Sequence, residues 1–306
     1  MKVLVVARYK EFGYLPYIKE QAAALERAGI TIQFYPMRGK GIKGYLREIS
    51  EFRKTIKSIK PDLIHAHYGL CGLFANLQRK VPVVTTFHGS DINEPQVRKL
   101  SKIAIRLSAF SIFVSQEMID IAKPKKNFAL IPCGINLEDY PFVEKLQARK
   151  QMGLKPDGKY VLFAGAFDEA VKNAPLAKAA VALLPRVELL ELHNYSRQQV
   201  ALLMQAADAF ILTSHIEGSP QVIKEALACG MPIVSVDAGD VKERIKDIDG
   251  CFLAERNEKE LSIALRNAIA YGKRTLGRTT IIDSMLTNDI IAMRIVEIYE
   301  KIKSES

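Results

Sequence analysis

Short runs of β-branched and other apolar residues alternate with longer stretches of helical periodicity along nearly the whole chain. The first run is KVLVVA (residues 2–7), and ITIQFYP, DLIHAH, PVVTTF, SIFVS and FALIP follow it at regular intervals. Because these runs are apolar throughout, they predict strands of a parallel sheet that is covered by helices on both faces. This alternation constrains the possible folds more than any other feature of the sequence.

The pattern starts again at KYVLFAGA (159–166), after a polar, lysine-rich passage, and continues through VELLEL, AFILTS and PIVSVD. We therefore predict two doubly wound, Rossmann-like α/β domains, residues 1–150 and 151–306, which face each other across a cleft. The run at 281–303 has helical periodicity, and the last helix is expected to pack back on the first domain. Ligands of open parallel sheets bind beyond the carboxyl ends of the strands, so site residues are expected directly after strands.

The positive charge of the chain is concentrated in its first half. Of the 44 Lys and Arg and 34 Asp and Glu residues, residues 1–143 contain the whole formal excess of +10. Such asymmetry indicates an anionic partner for the first half, with a membrane surface, a phosphorylated acceptor and nucleic acid as candidates. The segment from Arg38 to Lys60, which includes Lys40, fits either a basic amphipathic helix on anionic lipid or an ordinary solvated helix. Nucleic acid is disfavoured because no aromatic stacking platform accompanies the charge.

Cysteine usage and the first residues predict the compartment. The four cysteines are scattered without a C-x-x-C pair, which fits a reducing compartment and argues against a disulfide framework. The start, MKVLVVARYK, is too short and too soon charged for a signal peptide. No apolar run approaches the roughly 18–20 residues that a membrane span requires. We expect a cytoplasmic protein, with peripheral binding at the inner face of the membrane as one option.

The stretch SHIEGSPQVIKEALACG (214–230) combines a strand end, a Gly-Ser-Pro turn and an apolar helix. Ser219 is the predicted N-cap and Pro220 the predicted first helical residue. The free amides of four residues would then form an anion site fit for a diphosphate: Gly218, Ser219, Gln221 and Val222. A carboxylate repels bare phosphate, so Glu225 is better placed to accept hydrogen bonds from ribose hydroxyls, and Glu217 from a sugar. A capped surface helix with a solvated glutamate is the alternative.

Two further strand ends carry groups suited to chemistry. In FAGAFDEAVKN, Gly165 follows a strand and Lys172 lies where it could neutralise a diphosphate, unless it is simply an exposed lysine. In TFHGSD, His88 could bind a sugar hydroxyl or transfer a proton, with Asp91 holding it. The alternative for TFHGSD is a turn in which Asp91 caps the next helix.

The first domain offers more candidates at its predicted strand ends. His65 and His67, in LIHAHYG, are two residues apart and could face one way, but no third metal ligand is near in sequence. We therefore expect them to line a cleft and not to bind zinc. Gly13 would allow close approach of a ligand to the backbone.

Two further motifs match known binding patterns but are not expected to bind a ligand. GKGIKG (39–44) fits G-x-G-x-x-G, but it follows the second predicted strand and no acidic residue ends the next, so NAD binding is not expected. DID (247–249) resembles a carboxylate pair for a metal, yet it lies in a polar turn after a helix, where a capping or solvated role is expected.

Taken together, DLIHAHYG, TFHGSD, IPCGINLEDYPF, LFAGAFDEAVKN and EGSPQVIKEALACGMPIVS resemble glycosyltransferase family 4, the retaining transferases of GT-B fold. The resemblance covers nearly the whole chain, and its most specific part is the Glu-x7-Glu element of Glu217 and Glu225. It implies a nucleotide-sugar donor, held mainly by the C-terminal domain, and no bound metal or other cofactor.

By motif position, the resemblance also implies roles for individual residues. Glu225 would bind the ribose and Glu217 the donor sugar. The catalytic set would be His88, Glu217 and Lys172. The donor-binding set would be Gly13, Gly165, Lys172, Asn173, Glu217, Gly218, Ser219, Pro220, Gln221, Val222 and Glu225. The acceptor side would include Tyr14, His65, His67, Tyr68 and Asp91.

The chain departs from the family pattern at Ala166, where the family has an arginine, and in the short segment LPRVELLELHNYSRQQ. Loss of one charge-assisted phosphate contact could cost about 1.5–3 kcal/mol. The leading hypothesis is a hexose or N-acetylhexosamine transferase, with a UDP-sugar favoured, for capsule, lipopolysaccharide or other surface glycan. A non-catalytic nucleotide-sugar-binding homologue and a sugar-nucleotide epimerase are the alternatives.

Overall fold

The computed structural model describes residues 1–9, 13–39 and 41–305, with only the backbone of Ile42. The chain divides into two compact units: unit 1 comprises Met1–Gly134 and Asn288–Ser306, and unit 2 comprises Ile135–Thr287. The division therefore lies at Gly134, earlier than the predicted position at residue 150. The last helix belongs to unit 1.

Unit 1 is built on a six-stranded sheet in which every pairing is parallel. Its strands are β1 (Lys2–Arg8), β2 (Thr31–Met37), β3 (Leu63–His67), β4 (Val83–Phe87), β5 (Phe110–Phe113) and β6 (Phe128–Leu130). They lie in the order β2-β1-β3-β4-β5-β6. All residues of β3, β4 and β5 are buried, as expected for strands covered on both faces.

The helices that cover this sheet alternate with its strands along the chain. They are α1 (Pro16–Arg27), α2 (Gly41–Ile59), α3 (Gly69–Asn76), α4 (Ser90–Asn93), α5 (Pro95–Leu107) and α6 (Gln116–Ala122). Proline begins both α1 and α5, where its missing amide proton costs no hydrogen bond and its fixed φ suits the first helical turn.

Unit 2 contains a five-stranded, wholly parallel sheet in the order β11-β10-β9-β7-β8. Its strands are β7 (Lys159–Phe163), β8 (Val187–Glu191), β9 (Ala209–Leu212), β10 (Ile233–Ser235) and β11 (Phe252–Leu253). Its helices are α7 (Lys145–Gln151), α8 (Ala174–Ala182), α9 (Arg197–Ala206), α10 (Gln221–Ala228), α11 (Val241–Ile245), α12 (Glu258–Tyr271) and α13 (Gly277–Asp283). Both units are thus doubly wound parallel α/β folds, and the predicted fold class is confirmed.

Helix α7 replaces part of the polar passage that the sequence suggested as a linker. Arg149 of α7 is buried and donates to the Asp208 carboxylate (3.0 Å) and to the carbonyl oxygen of Ala206 (3.0 Å). Asp208 also accepts from Lys145 (2.5 Å) and from the amide of Tyr160 (2.8 Å). These bonds anchor α7 to the start of β7 and to the end of α9 within unit 2.

The C-terminal run is two helices and not one. α13 ends at Asp283, and α14 (Asn288–Ser304) begins after a turn in which Met285 has φ +55°. Ile291, Ile295 and Tyr299 of α14 are fully buried in the core of unit 1 together with residues of β1 and α1. Among the described helices, none is both long and apolar enough to span a membrane.

Candidate active site

The loops after β7 and β9 meet in unit 2, because these two strands are neighbours in the sheet. The hydroxyl of Thr213, directly after β9, donates to the carbonyl oxygens of Lys172 (2.9 Å) and Asn173 (3.0 Å). Asn173 has left-handed backbone geometry (φ +55°) and ends a one-turn 3-10 helix, Ala170–Lys172, before α8. This geometry turns the chain so that Lys172 lies beside the loop that precedes α10.

Lys172 and Glu217 form an ion pair of 2.7 Å between Nζ and Oε1, with both side chains largely buried. Gly165 lies against the stem of this lysine, since a Cβ at Gly165 would be 3.1 Å from its Cγ. The structure therefore brings three of the predicted site residues together. The lysine is not the freely solvated side chain of the alternative interpretation.

The turn before α10 differs from its predicted capping pattern. α10 begins at Gln221, Pro220 occupies the N-cap position, and no side chain caps the helix. The prediction of Ser219 as N-cap is wrong, because its hydroxyl donates instead to Asp240 (2.8 Å), which also accepts from Arg244 (2.9 Å). Asp240 is a residue of this loop cluster that sequence reasoning missed. It comes after β10, and residues that follow strands are the ones expected near a ligand.

Glycine is required where the loop after β10 passes the turn before α10. Gly239 has φ +61°, and a Cβ there would collide with the carbonyl oxygen of Gly218. Gly218 is itself buried, whereas Gln221 and Val222 at the start of α10 are partly exposed. Gly239 thus packs directly against the turn at Gly218, while the first amides of α10 carry the positive end of the helix dipole.

Glu225 lies one turn into α10, and a cation stands close to it. Arg197, the first residue of α9, has its Nη2 at 3.8 Å from Glu225 Oε1 and donates from Nη1 to Asp139 (2.7 Å). Its guanidinium also lies 5.8 Å from the centre of the Tyr140 ring. Sequence reasoning missed Arg197, whose only signal was its place shortly after β8.

Position 166 brings no positive charge to this site. Ala166 is buried, and the amide of the next residue, Phe167, donates to Glu191 (2.8 Å). Lys172 is therefore the cation that the loop after β7 offers near Glu217.

In unit 1, His88 lies at the end of β4 with both ring nitrogens close to polar groups. Its Nε2 is 3.0 Å from His67 Nδ1, and its Nδ1 is 3.8 Å from the Sγ of Cys133. The rings of Tyr68 and Tyr17 pack against it, with centroids at 4.7 and 5.1 Å. Burial lowers the pKa of His67 to about 3, so His67 is a neutral partner for His88.

His65 is a core residue, contrary to its predicted place on the acceptor side. It is fully buried, with Nδ1 at 2.5 Å from the Tyr299 hydroxyl and Nε2 at 2.7 Å from the Thr86 hydroxyl. Burial holds its pKa well below the usual value. His65 and His67 do face the same way, with stacked rings 4.6 Å apart. Among the described residues, no three His, Cys, Asp or Glu side chains are placed to hold a metal.

Asp91 is buried and organises the backbone around His88. Its carboxylate accepts from the amides of Gly69 (3.0 Å), His88 (3.1 Å) and Gly89 (3.0 Å). Burial raises its pKa to about 6, against the opposing effect of these bonds. Asp91 therefore organises the turn and orients the His88 backbone and not the ring, but it lies inside α4 and does not cap the helix as the alternative interpretation expected.

Gly13 and Tyr14 lie between β1 and α1. Gly13 has φ +97°, which favours glycine. Tyr14 packs on Phe34 and Tyr9, with ring centroids at 4.6 and 5.1 Å, and burial raises its pKa to about 12. Tyr68, which has φ +72°, shares a short hydrogen bond between hydroxyls with Tyr17.

In the described part of the GKGIKG segment, the amide of Gly39 is already hydrogen-bonded within the protein. The Glu48 carboxylate accepts from the amide of Arg38 (3.2 Å) and from that of Gly39, which places a negative charge in the turn. DID (247–249) follows α11 in a turn, where Asp247 lies 3.9 Å from Lys246.

The basic helix expected in this region exists as α2. Phe52 and Ile56 are buried, and the exposed basic side chains are Lys43, Arg47, Arg53, Lys54 and Lys57. Lys40 lies outside the described residues.

A cavity of about 560 Å³ in unit 2 lies beside β11 and α12, and Asp237, Arg256 and Glu260 are among its lining residues. None of the predicted site residues lines it. Arg256 instead donates to the carbonyl oxygens of Thr213 (3.0 Å) and Ser214 (2.8 Å), so it supports the loop after β9.

Comparisons with known proteins match both units. The family model Glycosyltransferase Family 4 matches residues 12–139, and the model Glycosyl transferases group 1 matches residues 161–270. A Bacillus subtilis protein named for teichuronic acid biosynthesis, glycosyltransferase TuaC, is 30% identical over 252 residues, 70% of this chain and 65% of that protein. N-acetyl-alpha-D-glucosaminyl L-malate synthase of Bacillus anthracis is 24% identical over 233 residues, 63% of this chain and 61% of that protein. The chain thus spans less than two thirds of the length of these relatives.

Solved structures share the fold across the chain. Sucrose-phosphate synthase from Thermosynechococcus elongatus superposes with a TM-score of 0.84 at 17% identity, covering 100% of both chains. HepE from Anabaena, solved in complex with UDP, superposes with a TM-score of 0.78 at 18% identity, covering 98% of this chain and 100% of that one.

Proposed function

Since this chain belongs to glycosyltransferase family 4, we propose that it transfers a hexose or N-acetylhexosamine from a nucleoside-diphosphate sugar, with retention of configuration, to a lipid-linked or polysaccharide acceptor. The observation that carries the proposal is the ion pair of Lys172 and Glu217 at the start of α10. It places one cation and one hydroxyl acceptor beside a helix N-terminus, which suits a phosphate joined to a sugar.

In the proposed complex, the diphosphate lies at the first amides of α10 and the Nζ of Lys172 moves from Glu217 to a phosphate oxygen. Glu217 is then available to accept from a hydroxyl of the sugar. As the glycosidic bond breaks, negative charge grows on the diphosphate, and Lys172 together with the α10 dipole stabilises it. This chemistry requires no metal ion or other cofactor.

The ribose is assigned to Glu225. Its carboxylate can accept from two vicinal hydroxyls, and the Arg197 guanidinium, 3.8 Å away, helps to orient it. Arg197 also stands where a base or ribose oxygen could receive a hydrogen bond. A UDP-sugar is the favoured donor, and HepE, which shares the fold, has been solved with UDP-glucose.

Within unit 1, His88 is the residue proposed to contact a sugar. Its Nδ1 is the atom expected to face the sugar, because the 3.8 Å contact with the Cys133 thiol is weaker than the 3.0 Å bond to His67. His67 then holds the ring orientation during the reaction.

Calorimetry with UDP and with UDP-sugars tests the donor site. Glu225→Ala should weaken UDP by about tenfold or more, because two hydrogen bonds to a charged acceptor are lost. Glu243→Ala, an exposed glutamate of α11, is the matched control and should leave the affinity unchanged. Unchanged UDP affinity in Glu225→Ala refutes the ribose assignment. A thermal-shift screen of UDP, GDP and ADP identifies the base.

A role in surface glycan synthesis, such as a capsule or lipopolysaccharide, is supported by the name of the relative from Bacillus subtilis. The exposed basic face of α2 supports binding to the anionic inner face of a membrane, without nucleic acid as a partner. Sedimentation with liposomes should show binding to anionic vesicles only. Equal binding to neutral vesicles contradicts this placement.

The buried Ala166 favours one second candidate, a nucleotide-sugar-binding homologue that lacks catalysis. Transfer or slow hydrolysis of donor by the purified protein excludes it. Isomerisation of the donor without any acceptor would instead identify an epimerase.

A further inference from the structure

Unit 1 contains a cavity of about 300 Å³ at the carboxyl ends of β1, β3 and β4. Most of its wall is apolar or aromatic, and includes Leu15, Ile18, Tyr45, Tyr68, Leu70 and Val97. This volume and lining are typical of a pocket for a small organic group and not for a hydrated sugar alone.

Two charged side chains border the cavity, and they differ in whether they can bind a ligand. The Asp91 carboxylate already accepts hydrogen bonds from three backbone amides. Arg8, the last residue of β1, is exposed, and among the described residues no carboxylate forms an ion pair with it. Arg8 and Cys71 both line the cavity, so the arginine side chain borders the same space as the apolar wall.

The cavity adjoins the histidine proposed to contact a sugar. Tyr68 lines the cavity, and its ring centroid is 4.7 Å from that of His88. Its φ of +72° is strained for a non-glycine residue, and strained backbone of this kind clusters at active sites and ligand clamps.

We propose that this cavity is the acceptor site, and that the acceptor is an amphiphile whose apolar group fills the cavity while its phosphate lies at Arg8. The inference rests on the proposed transferase function and names the acceptor class for it. Among the described residues, Arg8 is a cation at this cavity without a carboxylate partner. A neutral sugar would leave it without one and would place hydroxyls against a mostly apolar wall, so the cavity selects against neutral sugars.

Octyl phosphate is the probe, measured by calorimetry on the full chain, with octanol and inorganic phosphate as separate ligands. Octyl phosphate should bind saturably, and each of the other two at least about tenfold more weakly, since each makes only half of the contacts. Arg8→Gln should weaken octyl phosphate by about tenfold. Arg106→Gln, an exposed arginine on α5, is the matched control and should bind like the wild type. Val97→Phe, which fills the cavity and keeps the charge, should also weaken the probe.

UDP affinity is measured on the same samples, so the two proposals can fail separately. UDP binding without saturable octyl phosphate binding overturns the acceptor inference and leaves the transferase proposal intact. Equal affinity of wild type and Arg8→Gln, or octanol as tight as octyl phosphate, also overturns it. Inorganic phosphate as tight as octyl phosphate would show that the cavity contributes nothing, and overturns it as well.

Discussion

Acidification should destabilise unit 1 through His67, and the size of the effect follows from its burial. The folded state holds the pKa of His67 at about 3, whereas the unfolded chain has the usual value of 6.5. Between these values the unfolded state binds a proton that the folded state does not. The stability contribution is therefore complete above 6.5 and is lost as the pH falls, by about 1.4 kcal/mol per pH unit. From about pH 7.5 to about pH 5 the loss is about 2 kcal/mol for this one side chain.

The comparison with His67→Asn isolates that contribution. Asparagine keeps a polar group near the position of Nδ1 but does not titrate, so the variant should be less stable near neutral pH by about 1 kcal/mol. His65, with its lowered pKa, and Asp91, with its pKa raised to about 6, are present in both proteins, and their pH effects cancel in the difference. The stability advantage of the wild type should therefore vanish near about pH 6, and the variant should be the more stable protein by about 1 kcal/mol at about pH 5.

Urea unfolding followed by far-ultraviolet circular dichroism measures this difference across the pH range. Hydrogen exchange of the β3 and β4 amides assigns the transition to unit 1. If the difference in unfolding free energy between wild type and His67→Asn stays constant between about pH 7.5 and about pH 5, the conclusion that His67 is buried in its neutral form is refuted.

Three substitutions in unit 2 give further tests. Lys172→Met should weaken UDP binding by about 10- to 100-fold and leave the affinity for uridine unchanged, because only the diphosphate loses a charge-assisted contact. Equal losses of affinity for UDP and uridine would contradict the assignment of Lys172 to the diphosphate. Gly165→Ala places a Cβ 3.1 Å from the Lys172 Cγ, so calorimetry should show a loss of UDP affinity smaller than that of Lys172→Met, under about tenfold. The same substitution made in the Lys172→Met variant should not change UDP affinity further. Asp208→Asn breaks a buried pair with Arg149 and should lower the free energy of urea unfolding by about 3–5 kcal/mol. A loss below about 1 kcal/mol would mean that the Asp208 network does not stabilise unit 2.

The architecture could be predicted because apolar strands have a local signal. Each predicted run, from KVLVVA to PIVSVD, overlaps a strand of the structure. β11, Phe252–Leu253, was missed because two residues have no periodicity. The break between α13 and α14 was missed as well, since hydrophobic periodicity continues through the turn at Met285.

The site could be predicted in part for a similar reason. Lys172 and Glu217 follow neighbouring strands, so their proximity follows from sheet order. The pairing of Arg197 with Glu225 depends on how the start of α9 is oriented toward α10, which no local pattern records. His65 was misjudged because its partner, Tyr299, is far away in the sequence and on another helix. The role of each site residue in binding stays a prediction.

The return of α14 to unit 1 has a consequence for biosynthesis. Unit 2 is one continuous segment, Ile135–Thr287, and it can reach its final contacts as soon as that segment has left the ribosome. Unit 1 is discontinuous, and until α14 has left the ribosome the imidazole of His65 lacks the Tyr299 hydroxyl as its partner. The last helix of unit 1 therefore emerges after the whole of unit 2. A nascent chain with Thr287 outside the ribosome and α14 still inside it would carry a complete second unit together with a first unit that lacks its last helix.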